Sequence, residues 1–186
     1  MPYDITLGRN KSDKEKFGKR GCLTGDTIVF TDKGYKKIIK FNEEQDKILS
    51  FDKEKEKFEW EDAKLLEYPI KDEDLIGINF SNGKKLKLTQ EHPLLVKTKG
   101  KNTWKKANKL KTGDKIAYTK DNKKIKHTLV KNISQVGGVK KVYDLSVDKN
   151  HSFIANGIIS HNSGKSYSLG VLTEELSSLP KGVNEK

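Results

Sequence analysis

The sequence has little of several residue types, and each shortage excludes a class of protein. Among 186 residues there is one Cys, so the chain holds no internal disulfide and no zinc site built from several cysteines. No apolar run approaches the roughly 18 residues of a membrane span. The N-terminus lacks the basic and then apolar pattern of a signal peptide, so we expect a cytoplasmic protein that does not engage membranes.

Positive charge, in contrast, is abundant. Lys and Arg number 38 against 26 Asp and Glu, which gives a formal net charge of +12. One interpretation is therefore a basic β module that binds nucleic acid, with Cys22 as a small, inert core residue. The lysines are spread through nearly every segment, however, and runs such as residues 120–126 are more typical of solvated loops. Abundant Lys and Glu with few Gln would suit a thermophile.

Residues near the two ends of the chain form two halves of one phosphate-binding motif. GKS at 164–166 matches the second half of G-x-x-x-x-G-K-S, but Ile159 stands where the first Gly should be. The missing half is GKRG at 18–21, and joining the halves directly would give GKRGSGKS. The sequence therefore predicts that residues 22–162 interrupt a phosphate loop and must leave the chain before it can form.

The residues at the two ends of this insert have side chains that can cleave the bordering peptide bonds and join the flanks. Cys22 begins the insert, and its sulfur can attack the Gly21 carbonyl and convert the amide into a thioester. Asn162 ends it, and its side-chain amide can attack its own backbone carbonyl, closing a succinimide and cutting the bond to Ser163. The Ser163 hydroxyl can accept the upstream segment as an ester, which rearranges to the more stable amide because the free amine is adjacent.

Sequence blocks in the insert resemble the motifs of inteins, which are self-splicing protein elements. The blocks are CLTGDT at 22–27, TQEHPL at 89–94, VYDL at 142–145 and HNS at 161–163. They follow the order of the family, and the resemblance covers the whole insert. It implies an all-β Hint (hedgehog/intein) fold, a compact pseudo-two-fold horseshoe of short strands with one or two short helices.

The resemblance also implies domains and residue roles. The domains would be 1–21 as an N-extein fragment, 22–162 as the intein and 163–186 as a C-extein fragment. His92 would protonate the departing amine of the first step, acting near its unperturbed pKa, while Thr89 orients the carbonyl. Asp144 would couple the first two steps. His151 would activate the terminal asparagine, and His161 would polarise that asparagine's carbonyl or protonate the leaving amine.

Short alternating segments separated by turn signals predict strands through most of the insert. The clearest signal is a hairpin of strands 75–80 and 84–89 joined by Asn82 and Gly83, a pair that favours a tight type I′ turn. TGD recurs at 24–26 and 112–114, by coincidence or as a trace of two pseudo-symmetric lobes. The remaining expectations are strands at 26–30, 47–51 and 57–60 and short helices at 38–41 and 105–110.

Residues 118–135 form a Lys-rich, turn-prone stretch, the region where larger inteins carry a homing endonuclease. Nothing in it resembles the acidic helical motifs of such a nuclease, so the sequence predicts a mini-intein without endonuclease activity. We expect splicing to act on the chain's own backbone as a monomer, and to need neither metal nor nucleotide. Nucleic acid would act only through the host protein or as a regulator.

The flanks resemble the ATP-binding start of an archaeal DNA-translocating ATPase of the HerA helicase type. The restored loop would bind ATP and Mg²⁺, and a helix at 166–176 would follow it. The flanks alone are too short for ATP hydrolysis. A further alternative is a hedgehog-like domain that cleaves without ligating, although the C-terminal HNS argues against it. The expected host ATP-site residues are Gly18, Gly21, Ser163, Gly164, Lys165 and Ser166.

Overall fold

A computed structural model of the chain describes residues 21–162. This part of the chain forms fourteen strands and three single-turn 3-10 helices. The 3-10 helices are Ile38–Lys40, Asp72–Asp74 and Ala107–Lys109. The strands are β1 (Ile28–Thr31), β2 (Gly34–Lys37), β3 (Ile48–Asp52), β4 (Lys57–Glu61), β5 (Ala63–Pro69), β6 (Leu75–Phe80), β7 (Lys85–Thr89), β8 (Pro93–Thr98), β9 (Lys101–Lys106), β10 (Lys115–Thr119), β11 (Ile125–Gln135), β12 (Lys141–Val147), β13 (Ser152–Ala155) and β14 (Ile158–His161).

Twelve strands of the described chain form one antiparallel sheet, in the order β4-β3-β1-β13-β14-β8-β10-β11-β6-β7, with β2 on β1 and β9 on β8. The hairpin β13–β14 lies at its centre and is apolar on both faces. Phe153 and Ile158 pack into the largest apolar cluster, while Ile154 and Ile159 pack into a second cluster on the opposite face. Because strands covered on both sides read as continuous apolar runs, the central position of this hairpin follows from its composition.

Two long arms of the chain pair along most of their length. One arm is β5 followed by β6, and the other is β11 followed by β12. Pro69 opposes Lys141 and Ile76 opposes Gln135, so the arms keep nearly the same register across the break between their strands. This ladder connects distant parts of the sequence and fixes where β12 lies relative to the start of the insert.

The all-β prediction is confirmed, and most predicted strands appear within two residues of their expected bounds. Both expected helices are only 3-10 turns, and a third such turn occurs at 72–74. Residues 118–135 are mostly not turn: β10 continues to Thr119 and β11 occupies eleven residues. The described residues contain no helix with the length and apolar character of a membrane span.

The predicted type I′ turn at Asn82 and Gly83 is wrong. The loop spans residues 81–84, and only Gly83 has a positive φ, of 90°. The loop is pulled onto β11 instead, because Thr128 Oγ1 accepts a hydrogen bond from the Asn82 N–H at 3.1 Å and the Ser81 N–H donates to the Leu129 carbonyl at 2.9 Å. Tertiary contacts therefore override the local preference of the Asn-Gly pair.

The recurring TGD tripeptide precedes a strand at both places, β1 and β10. The two turns nevertheless differ in conformation, since Gly113 has a φ of +95° whereas Gly25 does not adopt a positive φ. The resemblance of these two segments therefore does not extend to their backbone geometry.

Candidate active site

The upstream end of the insert is held by β7. Cys22 is fully buried, and its N–H donates to Thr89 Oγ1 at 2.9 Å while its carbonyl accepts from the Thr89 N–H at 2.9 Å. Leu23 continues the pairing, bridging to Leu88 on one side and to Tyr143 on the other. The Gly21–Cys22 peptide is thus fixed in a β-like setting, with its N–H on Thr89.

His92 lies beside the same peptide in a fully buried position. Burial lowers its pKa from 6.5 to about 4, the Gly21 backbone works in the opposite direction, and His161 adds a small lowering effect. Neither ring nitrogen completes a hydrogen bond of regular geometry with the described residues, although the Gly21 backbone is close enough to influence the ring. The expectation of an ordinary pKa is therefore wrong: His92 is neutral at pH 7, because desolvation disfavours the imidazolium.

Gly21 makes a close approach to the His92 backbone. A Cβ built on Gly21 would lie 2.8 Å from the His92 Cα and 3.3 Å from the Glu91 carbonyl oxygen. Both are backbone atoms and cannot rotate away as the end of a side chain could. The residue ahead of the scissile bond is therefore in a place that only glycine occupies without displacing its neighbours.

The downstream end of the insert follows directly from the central strand β14. Asn162 is 1% exposed, and its N–H donates to the His151 carbonyl at 2.8 Å. The ring of His161 turns back onto the same residue, with Nδ1 2.5 Å from the Asn162 carbonyl oxygen. When Nδ1 carries the proton, it donates to the carbonyl that an intramolecular attack by the Asn162 side chain would convert into an oxyanion.

Two further rings contact His161. His151 stacks on it with centroids 6.0 Å apart and an interplanar angle of 24°, and Trp104 meets it in a T-shaped arrangement at 4.8 Å and 77°. His151 is exposed and has a φ of 53°, a left-handed conformation that turns the chain from β12 into β13. The sequence predicted the two histidines, whereas Trp104 carried no motif that would have drawn attention to it.

Sheet register brings the two ends of the insert together. Strands β8 and β14 are antiparallel neighbours in which Leu94 opposes Ser160. His92 lies two residues before Leu94 and Asn162 lies two residues after Ser160, so both lie at the same end of this antiparallel pair. His92 also abuts Gly21, and His161 is near enough to influence the His92 pKa, so this histidine lies close to both ends of the insert.

Asp144 lies on β12, the strand whose Tyr143 exchanges two backbone hydrogen bonds with Leu23 at 2.7 and 2.8 Å. It is fully buried, one residue from this bridge. The structure thus places a buried carboxylate in the strand next to the upstream junction. Of the other predicted residues, Ser163 and the host ATP-site residues apart from Gly21 lie outside the described residues, as does the helix expected at 166–176.

Metal ligation does not emerge from the described geometry. Within residues 21–162, no group of three or more His, Cys, Asp or Glu side chains is placed to hold a metal ion. The described geometry pairs Cys22 with Thr89 at the upstream end of the insert and groups His151, His161 and Asn162 at the downstream end.

The chain is similar to curated proteins of Methanocaldococcus jannaschii over part of their length. It is 28% identical over 156 residues to the uncharacterized protein MJ1054, covering 77% of this chain and 17% of that protein. It is 35% identical over 115 residues to a replication factor C small subunit, covering 52% of this chain and 6% of that protein. The chain thus spans less than a fifth of the length of either relative.

Solved structures with a similar fold include inteins. The PabCDC21-1 intein has a TM-score of 0.69 at 25% identity, covering 76% of this chain and 98% of that one. A DnaB intein from Synechocystis sp. PCC 6803 has a TM-score of 0.65 at 22% identity, covering 77% and 99%. The fold is therefore the Hint fold. The model of the pretoxin HINT domain matches residues 28–166, and because this match spans most of the chain, the protein belongs to the HINT-domain family.

Proposed function

We propose that residues 22–162 splice themselves out of the chain and join Gly21 to Ser163. The observation that carries this proposal is the approach of both ends of the insert to one buried histidine, with Gly21 against His92 and with His92 and Asn162 at the same end of the β8–β14 pair. An element that only cut its upstream bond would have no need to hold a downstream asparagine there. The fold shared with inteins adds support.

The first step moves the upstream segment from nitrogen to sulfur. The Cys22 sulfur attacks the Gly21 carbonyl carbon, and the bond from that carbon to the Cys22 nitrogen breaks. The thiol proton is relayed through His92 to the leaving nitrogen, and the donation half of this relay is favourable because an imidazolium with a pKa of about 4 is a strong acid. Thr89 holds the scissile N–H and keeps the peptide aligned for attack.

The second step moves the upstream segment from the Cys22 sulfur to the Ser163 oxygen. The thioester bond breaks, an ester forms, and the serine proton must be removed because a neutral hydroxyl is a weak nucleophile. We assign this proton transfer to Asp144, the buried carboxylate in the strand that pairs with Leu23. The result is a branched chain with a free amine on Cys22.

The third step releases the insert. The Asn162 side-chain nitrogen attacks the Asn162 carbonyl carbon, a succinimide forms, and the bond to the Ser163 nitrogen breaks. His161 stabilises the developing oxyanion through Nδ1, and burial of Asn162 keeps competing water away. The Ser163 ester then rearranges to an amide, and the product contains GKRGSGKS.

We further propose that the flanks belong to an archaeal ATPase resembling the HerA type, whose phosphate loop forms only after splicing. The support is the sequence itself, in which the two halves of the loop are complete only when joined. The host would bind ATP and Mg²⁺, whereas splicing would need no cofactor. A full-length host precursor with Cys22→Ala and Asn162→Ala should therefore lack ATPase activity, and the spliced host should have it.

The experiment that tests splicing follows the mass of the purified 21.1 kDa chain during incubation at increasing temperature. Splicing gives a large product for residues 22–162 and a small one that joins Gly21 to Ser163, and Cys22→Ala with Asn162→Ala abolishes both. Separate flanks without a joined product would favour a cleavage-only domain. An intact chain under all conditions, including added thiol, would contradict splicing and favour the basic binding module.

A further inference from the structure

Trp104 contacts the downstream machinery from a strand that carries none of the junction residues. It lies on β9, which pairs with β8, and β8 in turn pairs with β14. Trp104 opposes Leu95 in this ladder, and both side chains belong to the apolar cluster that includes Ile159. In the register of β8 with β14, Leu95 lies beside Ile159. The indole of Trp104 therefore crosses β8 diagonally to contact the ring of His161, two residues beyond Ile159 on β14.

The contact has the geometry of a specific aromatic pair. The indole and imidazole rings are 4.8 Å apart at 77°, within the range that aromatic rings prefer. His161 ends its strand and is only partly buried, so β-sheet hydrogen bonds alone do not set its ring angle. The exposed His151 offers a more distant stack at 6.0 Å. Of these two rings, Trp104 is the nearer to the imidazole.

We propose that Trp104 is a positioning residue for asparagine cyclisation: it holds the His161 ring with Nδ1 on the Asn162 carbonyl oxygen. This inference rests on the proposed splicing function. Its consequence is confined to the downstream bond, because Trp104 contacts His161 and the upstream bond is flanked by Thr89 and His92. A residue that only filled the core would affect both bonds through loss of the fold.

The test measures each bond separately. Cys22→Ala isolates asparagine cyclisation, followed as C-terminal cleavage, and Asn162→Ala isolates the thioester, followed as thiol-induced N-terminal cleavage. Trp104→Leu, which keeps apolar bulk but removes the ring, should slow C-terminal cleavage by about tenfold or more while changing thiol-induced cleavage by less than about twofold. Trp104→Phe, which keeps a ring, should restore most of the C-terminal rate.

The matched control is Trp60→Leu, at the other tryptophan, which is 45% exposed on β4 and contacts Phe30 rather than a histidine. It should leave both rates unchanged. Equal slowing of both bonds by Trp104→Leu, or no slowing of either, would overturn the positioning role. If neither reference background cleaves even with Trp104 in place, the splicing function itself fails, and the two failures are thereby told apart.

A second readout tests the ring contact without any cleavage. In a Cys22→Ala, Asn162→Ala chain with Trp60→Phe, Trp104 is the only tryptophan, and its fluorescence should fall as pH decreases because a neighbouring imidazolium quenches indole emission. The further change His161→Gln should remove that pH-dependent fall. A fluorescence titration that survives His161→Gln unchanged would contradict the contact on which the inference stands.

Discussion

His92 shows how one buried side chain links the site to stability. Its pKa of about 4 lies below the usual 6.5, so the unfolded chain binds one more proton than the folded chain between these values. The free energy of unfolding should therefore fall as pH decreases from about 7 to 4, with His92 contributing about 3 kcal/mol of the loss, and this contribution should level off below pH 4.

The measurement is urea unfolding at several pH values in the Cys22→Ala, Asn162→Ala background. His92→Leu should remove this part of the pH dependence, whereas a change at the exposed His151 to Gln should retain it. An identical pH slope with and without His92 would mean that the ring is not desolvated as the structure indicates.

Gly21, directly ahead of the scissile bond, should tolerate no larger side chain without a loss of rate. Gly21→Ala would push a methyl group onto the backbone of His92 and Glu91 and displace the reacting carbonyl, so thiol-induced N-terminal cleavage in the Asn162→Ala background should slow by about tenfold or more. Gly21→Val should slow it further. C-terminal cleavage in the Cys22→Ala background should be unaffected, and a full-speed first step in Gly21→Ala would refute the contact.

The candidate residues at both junctions, and Thr89, His92 and Asp144, were predicted from sequence because each position carries a recognisable motif, and their roles stay predictions. The motifs did not indicate how deeply each residue is buried or which residues it contacts. The pKa of His92 depends on burial by strands far along the chain, and the partner of Thr89 Oγ1 depends on how Cys22 enters the sheet. Trp104 becomes a neighbour of His161 only through the order β9-β8-β14.

At the scale of elements, the two Asn-Gly loops differ in backbone conformation and in their tertiary hydrogen bonds. Asn156 and Gly157 join β13 to β14 with φ values of 50° and 83°, the two-residue turn expected of the pair. The Asn156 side chain also accepts from the Ile28 N–H and donates to the Lys85 carbonyl, each at 2.7 Å. Sequence reasoning chose the other Asn-Gly pair, because the tertiary partners that decide the turn type are not local.

Asn156→Ala should consequently destabilise the fold by about 2 kcal/mol, since it strains the left-handed backbone and leaves the Ile28 N–H without its acceptor. The matched change Asn82→Ala removes only an exposed loop contact with the Lys84 N–H and should cost less than about 1 kcal/mol. Equilibrium urea midpoints of both variants in the cleavage-blocked chain provide the comparison. Equal losses would show that the Asn156 bridges add nothing.

The whole molecule is organised as two portions of sequence joined by the paired arms. Strands β5 and β6 of the first arm precede the exposed turn at 120–124, and β11 and β12 of the second follow it. A break between Lys123 and Lys124 therefore separates Cys22 and His92 from Asp144 and Asn162 while leaving complementary strands on each fragment.

Fragments 1–123 and 124–186 should reassociate through these arms and splice in trans when mixed. Mass spectrometry should detect the joined flanks only in the mixture, and Asn162→Ala in the second fragment should prevent their release. Fragments that bind each other but never ligate would indicate that an unbroken β10–β11 connection is needed to build the site.

The close contact between Gly21 and His92 also bears on where such an element can be inherited. Under the proposed splicing function, an insert with so little space for a Cβ just upstream is removed fastest where the preceding codon specifies glycine. Glycine-rich phosphate loops offer that codon repeatedly, and changing it would slow the removal of the insert from the proposed host. The host gene is then constrained by a steric contact that its own mature product no longer contains.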